Sequence, residues 1–281
     1  MTGEHTLLIN MVVGLCNDGE QWPSFLHELG YVVKFLEQVL PINEKEKTKP
    51  DIIIVSNKIK HMLIIECKGG GSISAEQDMR YGKLEVKSIA IKIGAGGFID
   101  KHVVAYAINH TSLKEIKKQT ARPIIVFSPL HVKGIREFGV KKLNETMHRE
   151  TSLTNMRVPT KYYPFGLDDD KSVVVTHIVQ CIVKFTRDGK AIKNITGDDS
   201  INDMFNAVFE FQKILPSRHV KEIKKKIKKT IVEEIIPNKE LMKRIEEVYK
   251  SRNQETRNQL YDFCGLYMKK IMPQKKLIDF T

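Results

Sequence analysis

Two apolar runs, Ile52–Val55 and Met62–Ile65, are separated by the polar segment Ser56-Asn57-Lys58-Ile59-Lys60, a pattern that predicts two adjacent β-strands joined by a turn. Charge sits only at their outer ends, with Pro50-Asp51 before the first run and Glu66-Cys67-Lys68 after the second. Upstream, Trp22, Phe25, Leu26 and Leu29 recur at helical spacing and predict a helix over 17–29, capped by Asn17 or Asp18. Gly30 ends it before a strand over 31–35. Downstream, Ser72 to Ser74 open a helix running to about Lys92, then a Gly94–Gly97 loop, a strand over 102–108, a helix over 112–120 and a strand over 123–127. Strands alternating with helices in this way imply an α/β fold with a mixed sheet covered by helices.

The pattern changes after residue 139. Residues 139–170 are polar, lack sustained periodicity and contain Pro159, Pro164 and Gly166, so they read as a linker or substrate-facing loop. Asp168-Asp169-Asp170 suit the positive end of a following helix better than a metal site. Residues 171–186 read as a helix, with a hairpin to 191–195 as the alternative. Ser200-x-x-Asp203 resembles a capping box for a helix carrying Ile201, Met204, Phe205, Val208 and Leu215 on one face. In 217–236, Val220, Ile223, Ile227, Ile231 and Ile235 define an apolar stripe, leaving Lys221, Lys224, Lys225, Lys226, Lys228 and Lys229 for the outer face. That face could follow a phosphate backbone or simply be solvated. A further helical region spans 238–272. The expected organisation is an α/β domain over 1–160 and a basic, mainly helical domain over 161–281.

Composition narrows the class. The chain has 281 residues, 41% of them hydrophobic, enough for a substantial core. No stretch is apolar enough to span a membrane and no secretory leader is visible, which points to the cytoplasm. Cys16, Cys67, Cys181 and Cys264 form no CxxC pair, which argues against a zinc site or a disulfide framework. A formal net charge of +12 suits a polyanionic partner, although a lysine- and isoleucine-rich composition accounts for part of it. The Gly94-Ala95-Gly96-Gly97 run completes neither a P-loop nor a dinucleotide fingerprint.

The charged ends of the hairpin carry the chemistry. Alternate strand residues share a face, so Glu66 and Lys68 project together while Cys67 points the opposite way. Antiparallel pairing brings Asp51 beside them. Two clustered carboxylates suit Mg²⁺ or Mn²⁺, hard cations that take oxygen ligands and keep several waters, and the Cys67 backbone carbonyl could add a third oxygen. Such an ion activates water and neutralises a scissile phosphate, with Lys68 placed to orient the water or pair with the phosphate.

Pro50-Asp51, fourteen intervening residues and Glu66-x-Lys68 resemble the PD-(D/E)XK nuclease superfamily. Gln77 and Tyr81, four apart on the following helix, resemble the QxxxY motif of its RecB-type branch. The resemblance implies a restriction-endonuclease-like αβββαβ core and a Mg²⁺- or Mn²⁺-dependent nuclease acting on DNA, more as an endonuclease than an exonuclease, in restriction, repair or mobile-element defence. It assigns metal ligation to Asp51, Glu66 and the Cys67 carbonyl, with Lys68, Gln77 and Tyr81 in supporting roles. It also calls for a glutamate from the first helix, for which Glu20 is preferred over Glu28. RNA as the substrate, a second copy of the chain and a protein held by the helical domain stay open as partners. The alternatives are a catalytically silent DNA- or RNA-binding relative, and a helical interaction module on a nuclease-like scaffold.

Overall fold

The computed structural model describes residues 3–18, 21–95, 98–159, 162–187, 195–209, 212–251 and 253–271, without the side chains of 186, 187, 261 and 264–271. The chain divides into two compact units, one built on Leu7–Tyr162 and the other on Tyr163–Gln212 and the residues from Ser217 onward.

The first unit is mixed α/β. Its chain order is α1 (Glu4–Leu15, whose first turn belongs to the other unit), α2 (Phe25–Glu28), β1 (Tyr31–Leu36), β2 (Leu40–Pro41), β3 (Lys47–Thr48), β4 (Ile52–Ser56), β5 (His61–Lys68), α3 (Ala75–Gly82), α4 (Val86–Lys92), β6 (Lys101–Asn109), α5 (Leu113–Gln119), β7 (Ile124–Phe127), β8 (His131–Ile135), α6 (Lys141–Met147) and β9 (Thr151–Ser152). Seven strands form one sheet in the order β1-β4-β5-β6-β7-β8-β9, and β2 pairs with β3 separately. The β5-β6 and β6-β7 pairs are parallel and the other pairs of the large sheet are antiparallel. Every residue of β4 is buried, which is why that strand reads as an unbroken apolar run. One sheet face packs Ile53, Val55, Met62, Ile64 and Val104 against Tyr81 of α3, Ile89 of α4, and Leu84 and Ile93 at the ends of these helices.

Several expectations are corrected. Of the helix expected over 17–29, the described residues form only the four of α2, because Pro23 disfavours helix at the residue before it. The first helix is instead α1, and Ile9, Val12, Val13 and Leu15 in it are fully buried. A helix apolar on nearly every side gives no amphipathic period to read. The helix expected to reach Lys92 is interrupted between Gly82 and Val86. Residues 139–170 are not a plain linker, since α6 and β9 lie within them and β8 and β9 extend the sheet.

The second unit is helical: α7 (Lys171–Arg187), α8 (Asp198–Val208), α9 (Ser217–Thr230), α10 (Lys239–Ser251) and α11 (Gln254–Ile271), with a π-helical turn at Ile231–Ile235. Thus 171–186 is helix; 191–194 of the hairpin alternative lie outside the described residues. α8 begins at Asp198 after Gly197, so Ser200 sits inside it rather than at its cap. The same helix stops before Leu215, and a short 3-10 turn, Gln212–Ile214, follows. An aromatic core joins Tyr163, Phe165, Phe205 and Phe209, and the Tyr163 hydroxyl lies 2.8 Å from His219 Nε2. Asp169 accepts from Thr6 Oγ1 at 2.6 Å and from the Gly166 amide at 2.8 Å, tying down the turn before α7. Cys16, Cys67 and Cys181 are buried free thiols. Among the described residues no helix is long and apolar enough to cross a membrane.

Candidate active site

The site begins with strand register. In the β4-β5 hairpin Ile52 faces Ile65, and the next position brings Asp51 opposite Glu66. Glu66 in turn pairs with Tyr106 on β6. On the other side β1 contains a bulge between Val33 and Phe35. That extra residue shifts the register so that Glu37, just past Leu36, falls opposite Asp51, and the Glu37 amide donates to the Asp51 carbonyl at 2.8 Å. Glu37, Asp51, Glu66 and Tyr106 therefore occupy one row across four neighbouring strands. The three acids are only 7%, 5% and 6% exposed, which demands partners for their charge.

Partners are present. Asp51 Oδ2 accepts from the Cys67 amide at 2.6 Å. Glu37 Oε2 lies 2.6 Å from Lys49 Nζ. Glu66 Oε1 accepts from Lys68 Nζ at 2.8 Å and Gln77 Nε2 at 2.7 Å, while its Oε2 accepts from the Tyr81 hydroxyl at 2.5 Å. Lys68 also donates to Gln77 Oε1 at 2.9 Å, and Gln77 Nε2 reaches the Tyr81 oxygen at 3.2 Å. Burial, then Glu66, pushes the Tyr81 phenol far above its usual range, so it stays a donor. Burial also pushes the Cys67 thiol well up, and Asp51, Glu66 and Glu37 act in the same direction.

Gln77 and Tyr81 reach Glu66 because α3 lies on this face. Ser74 caps the helix by accepting from the Gln77 amide. Asp78 fixes it to the sheet, accepting at Oδ1 from the Tyr106 hydroxyl and Arg122 Nε, each at 2.7 Å, while Arg122 also donates to the Asp78 carbonyl at 2.7 Å. The Gly69-Gly70-Gly71 segment is pinned by Gln119, which donates to the Gly71 carbonyl and accepts from the Ile73 amide.

The donors on this row are all oxygens, the chemistry of a Mg²⁺ or Mn²⁺ site. Asp51 and Glu66, with the Cys67 carbonyl, are the groups that could hold such an ion, with water completing its shell. Among the described residues no three His, Cys, Asp or Glu side chains converge as a ready cage.

The network unites Glu66, Lys68, Gln77 and Tyr81, and the strand register sets Asp51 opposite Glu66. Glu20 lies outside the described residues, and Glu28 is exposed at the end of α2. Glu37 was missed by sequence reasoning, since only the bulge puts it in the row. On α9, Lys221, Lys225, Lys228 and Lys229 are exposed; Lys228 lies 3.2 Å from Asp198 and Lys229 3.8 Å from Glu233. Lys224 lies over the Phe205 ring at 5.0 Å. Lys226 departs from the expected outer face, donating to the carbonyls of Gly166, Leu167 and Asp169 at 3.0, 2.7 and 2.6 Å. Its burial lowers its pKa.

Fold and site together define a mixed-sheet α/β protein with a buried acid-lysine network beside its central hairpin. A family model for the MJECL32 domain matches residues 4–163, and the chain belongs to that family. No curated protein and no solved structure matches the chain.

Proposed function

We propose that the α/β unit is a metal-dependent nuclease of the PD-(D/E)XK type, with a restriction-endonuclease-like core, that hydrolyses DNA phosphodiester bonds. The observation that carries this reading is the hydrogen-bonded network of Glu66, Lys68, Gln77 and Tyr81, with Asp51 opposite Glu66 in the strand register and bonded to the Cys67 amide. A divalent ion held by Asp51 and Glu66 would supply Lewis acidity and an activated water. The chain's own residues do the rest. Lys68 spends two of its three N–H groups on Glu66 and Gln77, and the third can direct a water or a phosphate oxygen. Gln77 holds Lys68 and Glu66 at once, fixing their spacing. Tyr81 holds the far oxygen of Glu66 and stays protonated.

A second reading, a nucleic-acid-binding relative without activity, is favoured by one observation. Both oxygens of Glu66 already accept bonds from protein donors, so an ion must compete with them. Incubating the purified protein with linear, circular and single-stranded DNA in Mg²⁺, Mn²⁺ or EDTA separates the readings. Cleavage that needs the ion and is lost in Asp51→Asn supports the nuclease; cut circles indicate internal cleavage. Binding without cleavage under every condition supports the silent relative.

A further inference from the structure

A cleft of about 600 Å³ opens in the α/β unit between α5, β7 and β8. Its lining includes Lys117, Lys133 and Arg136 against one carboxylate, Glu150, together with the imidazoles of His110, His131 and His148. Lys133 pairs with Glu150 at 3.1 Å, and both are well exposed, so that pair is loosely held. Arg136 donates to the backbone carbonyls of Lys117, Thr120 and Arg122. Those bonds fix its guanidinium at the carboxyl end of α5, and among the described residues no acid forms an ion pair with it. The cleft is therefore a cationic hollow with part of its charge rigidly mounted.

Its place relative to the acid network follows from register. Lys68 pairs with Ile108, Ile108 with Val126, and Val126 with Lys133, so Lys68 and Lys133 lie in one row on one face. Three strand spacings separate them, about 14 Å. At the rise of a nucleic-acid strand this is at least about four nucleotides, because Ile108 and Val126 between them are buried against Ile116 of α5 and a strand must pass around that helix. The row also lies near the carboxyl ends of the three parallel strands, the end at which open α/β sheets bind ligands.

We propose that this cleft is a second phosphate subsite, which grips the backbone of a nucleic-acid strand about four or more nucleotides from the phosphate at Lys68. The proposal rests on the nucleic-acid reading of the acid network but not on its catalytic competence. Lys117 and Lys133 meet phosphate oxygens directly, with Lys133 released from Glu150. Arg136 contributes through its charge.

The test uses the full chain in EDTA, where no strand is cut, and fluorescein-labelled single strands of about four and about twelve nucleotides, lengths set by the strand rise. Wild type should bind the longer strand more tightly. Lys117→Glu with Lys133→Glu should weaken the longer strand at least about tenfold and leave the shorter one unchanged. The salt dependence should lose about 1.4 units of slope for two lost contacts. Lys117→Gln with Lys133→Gln, which adds no repulsion, should show the same pattern more weakly and covers the case where the Glu variant does not fold. Equal losses for both lengths, or no loss for the longer one, overturn the subsite. So does a wild type in which inorganic phosphate shields Lys133 from amine modification but the long strand does not, the behaviour of a small-anion site. Cleavage assays with Mg²⁺ run alongside: a length-dependent loss without any cleavage removes the nuclease and keeps the subsite, and the reverse keeps the nuclease alone.

Discussion

Tyr81 is the residue on which the acid network turns, because its hydroxyl is the donor to Glu66 Oε2. In Tyr81→Phe that buried oxygen loses its protein donor, at a cost of about 1–3 kcal/mol. Chemical denaturation should show this loss in EDTA, and Mg²⁺ should restore part of it by taking the vacated oxygen; equal losses with and without Mg²⁺ would argue against an ion at Glu66. Glu66→Gln should abolish cleavage, whereas Lys68→Ala should slow it by orders of magnitude and keep DNA affinity, measured by turnover and by titration with labelled duplex. His61 gives a different prediction. It is buried with Nδ1 2.7 Å from the Tyr31 hydroxyl and Nε2 lacking a hydrogen-bond partner among the described residues, and burial pulls its pKa down from 6.5 to about 4. The unfolded chain then binds the extra proton first. Stability is fully present above about pH 6.5 and falls toward pH 4, by up to about 3 kcal/mol. Urea unfolding across that window should show the slope, and Tyr31→Phe with His61→Leu should flatten it. At this scale the sequence reveals the meeting of Asp51, Glu66, Lys68, Gln77 and Tyr81, because short local elements with fixed periods bring them together. Glu37 is hidden because its place depends on one unpaired residue in β1, which no periodicity announces.

Helix α3 is the element whose position the network requires, and Asp78 with Arg122 holds it. In Arg122→Ala the Asp78 carboxylate loses its ion pair and the Tyr106 and Thr120 hydroxyls alone still reach it. Amides in α3 should exchange hydrogen faster while those of β5 stay protected, and kcat should fall more than KM rises, since Gln77 and Tyr81 drift from Glu66 without touching the bound strand's distant contacts. Unchanged exchange in α3 would show that packing of Tyr81 and Leu84 suffices. The elements that were legible, β1, β4, β5, β6 and β7, carry unbroken or alternating apolar runs. Those missed have physical reasons. α1 is buried nearly all round, β2, β3 and β9 are two residues long, and β8 has polar side chains lining a cleft where a core-facing strand would have apolar ones.

Across the whole chain, the net charge of +12 is unevenly committed. Lys226 is bound to carbonyls and Lys228 to Asp198, whereas Lys221 and Lys225 are exposed and, among the described residues, show no ion pair. If α9 contacts duplex phosphates, Lys221→Glu with Lys225→Glu should lower the salt slope of binding by about 1.8 units; a solvated face leaves it unchanged. Lys226→Met should instead lower the melting temperature, because three carbonyls lose their donor. The α/β nature of the first unit and the helical nature of the second were legible from the change of period along the chain. The extension of the sheet beyond residue 127 was not, because it is made by short strands in polar sequence. The order of residues in the network has one more consequence. Glu37 through Tyr81 are contiguous, but the groups that steady α3, Tyr106 and Arg122, come later. During synthesis the three acids emerge together with their direct partners Lys49, Lys68, Gln77 and Tyr81, whereas the arginine that clamps the covering helix comes later, so the helix over the acids is secured only once the next crossover has been translated.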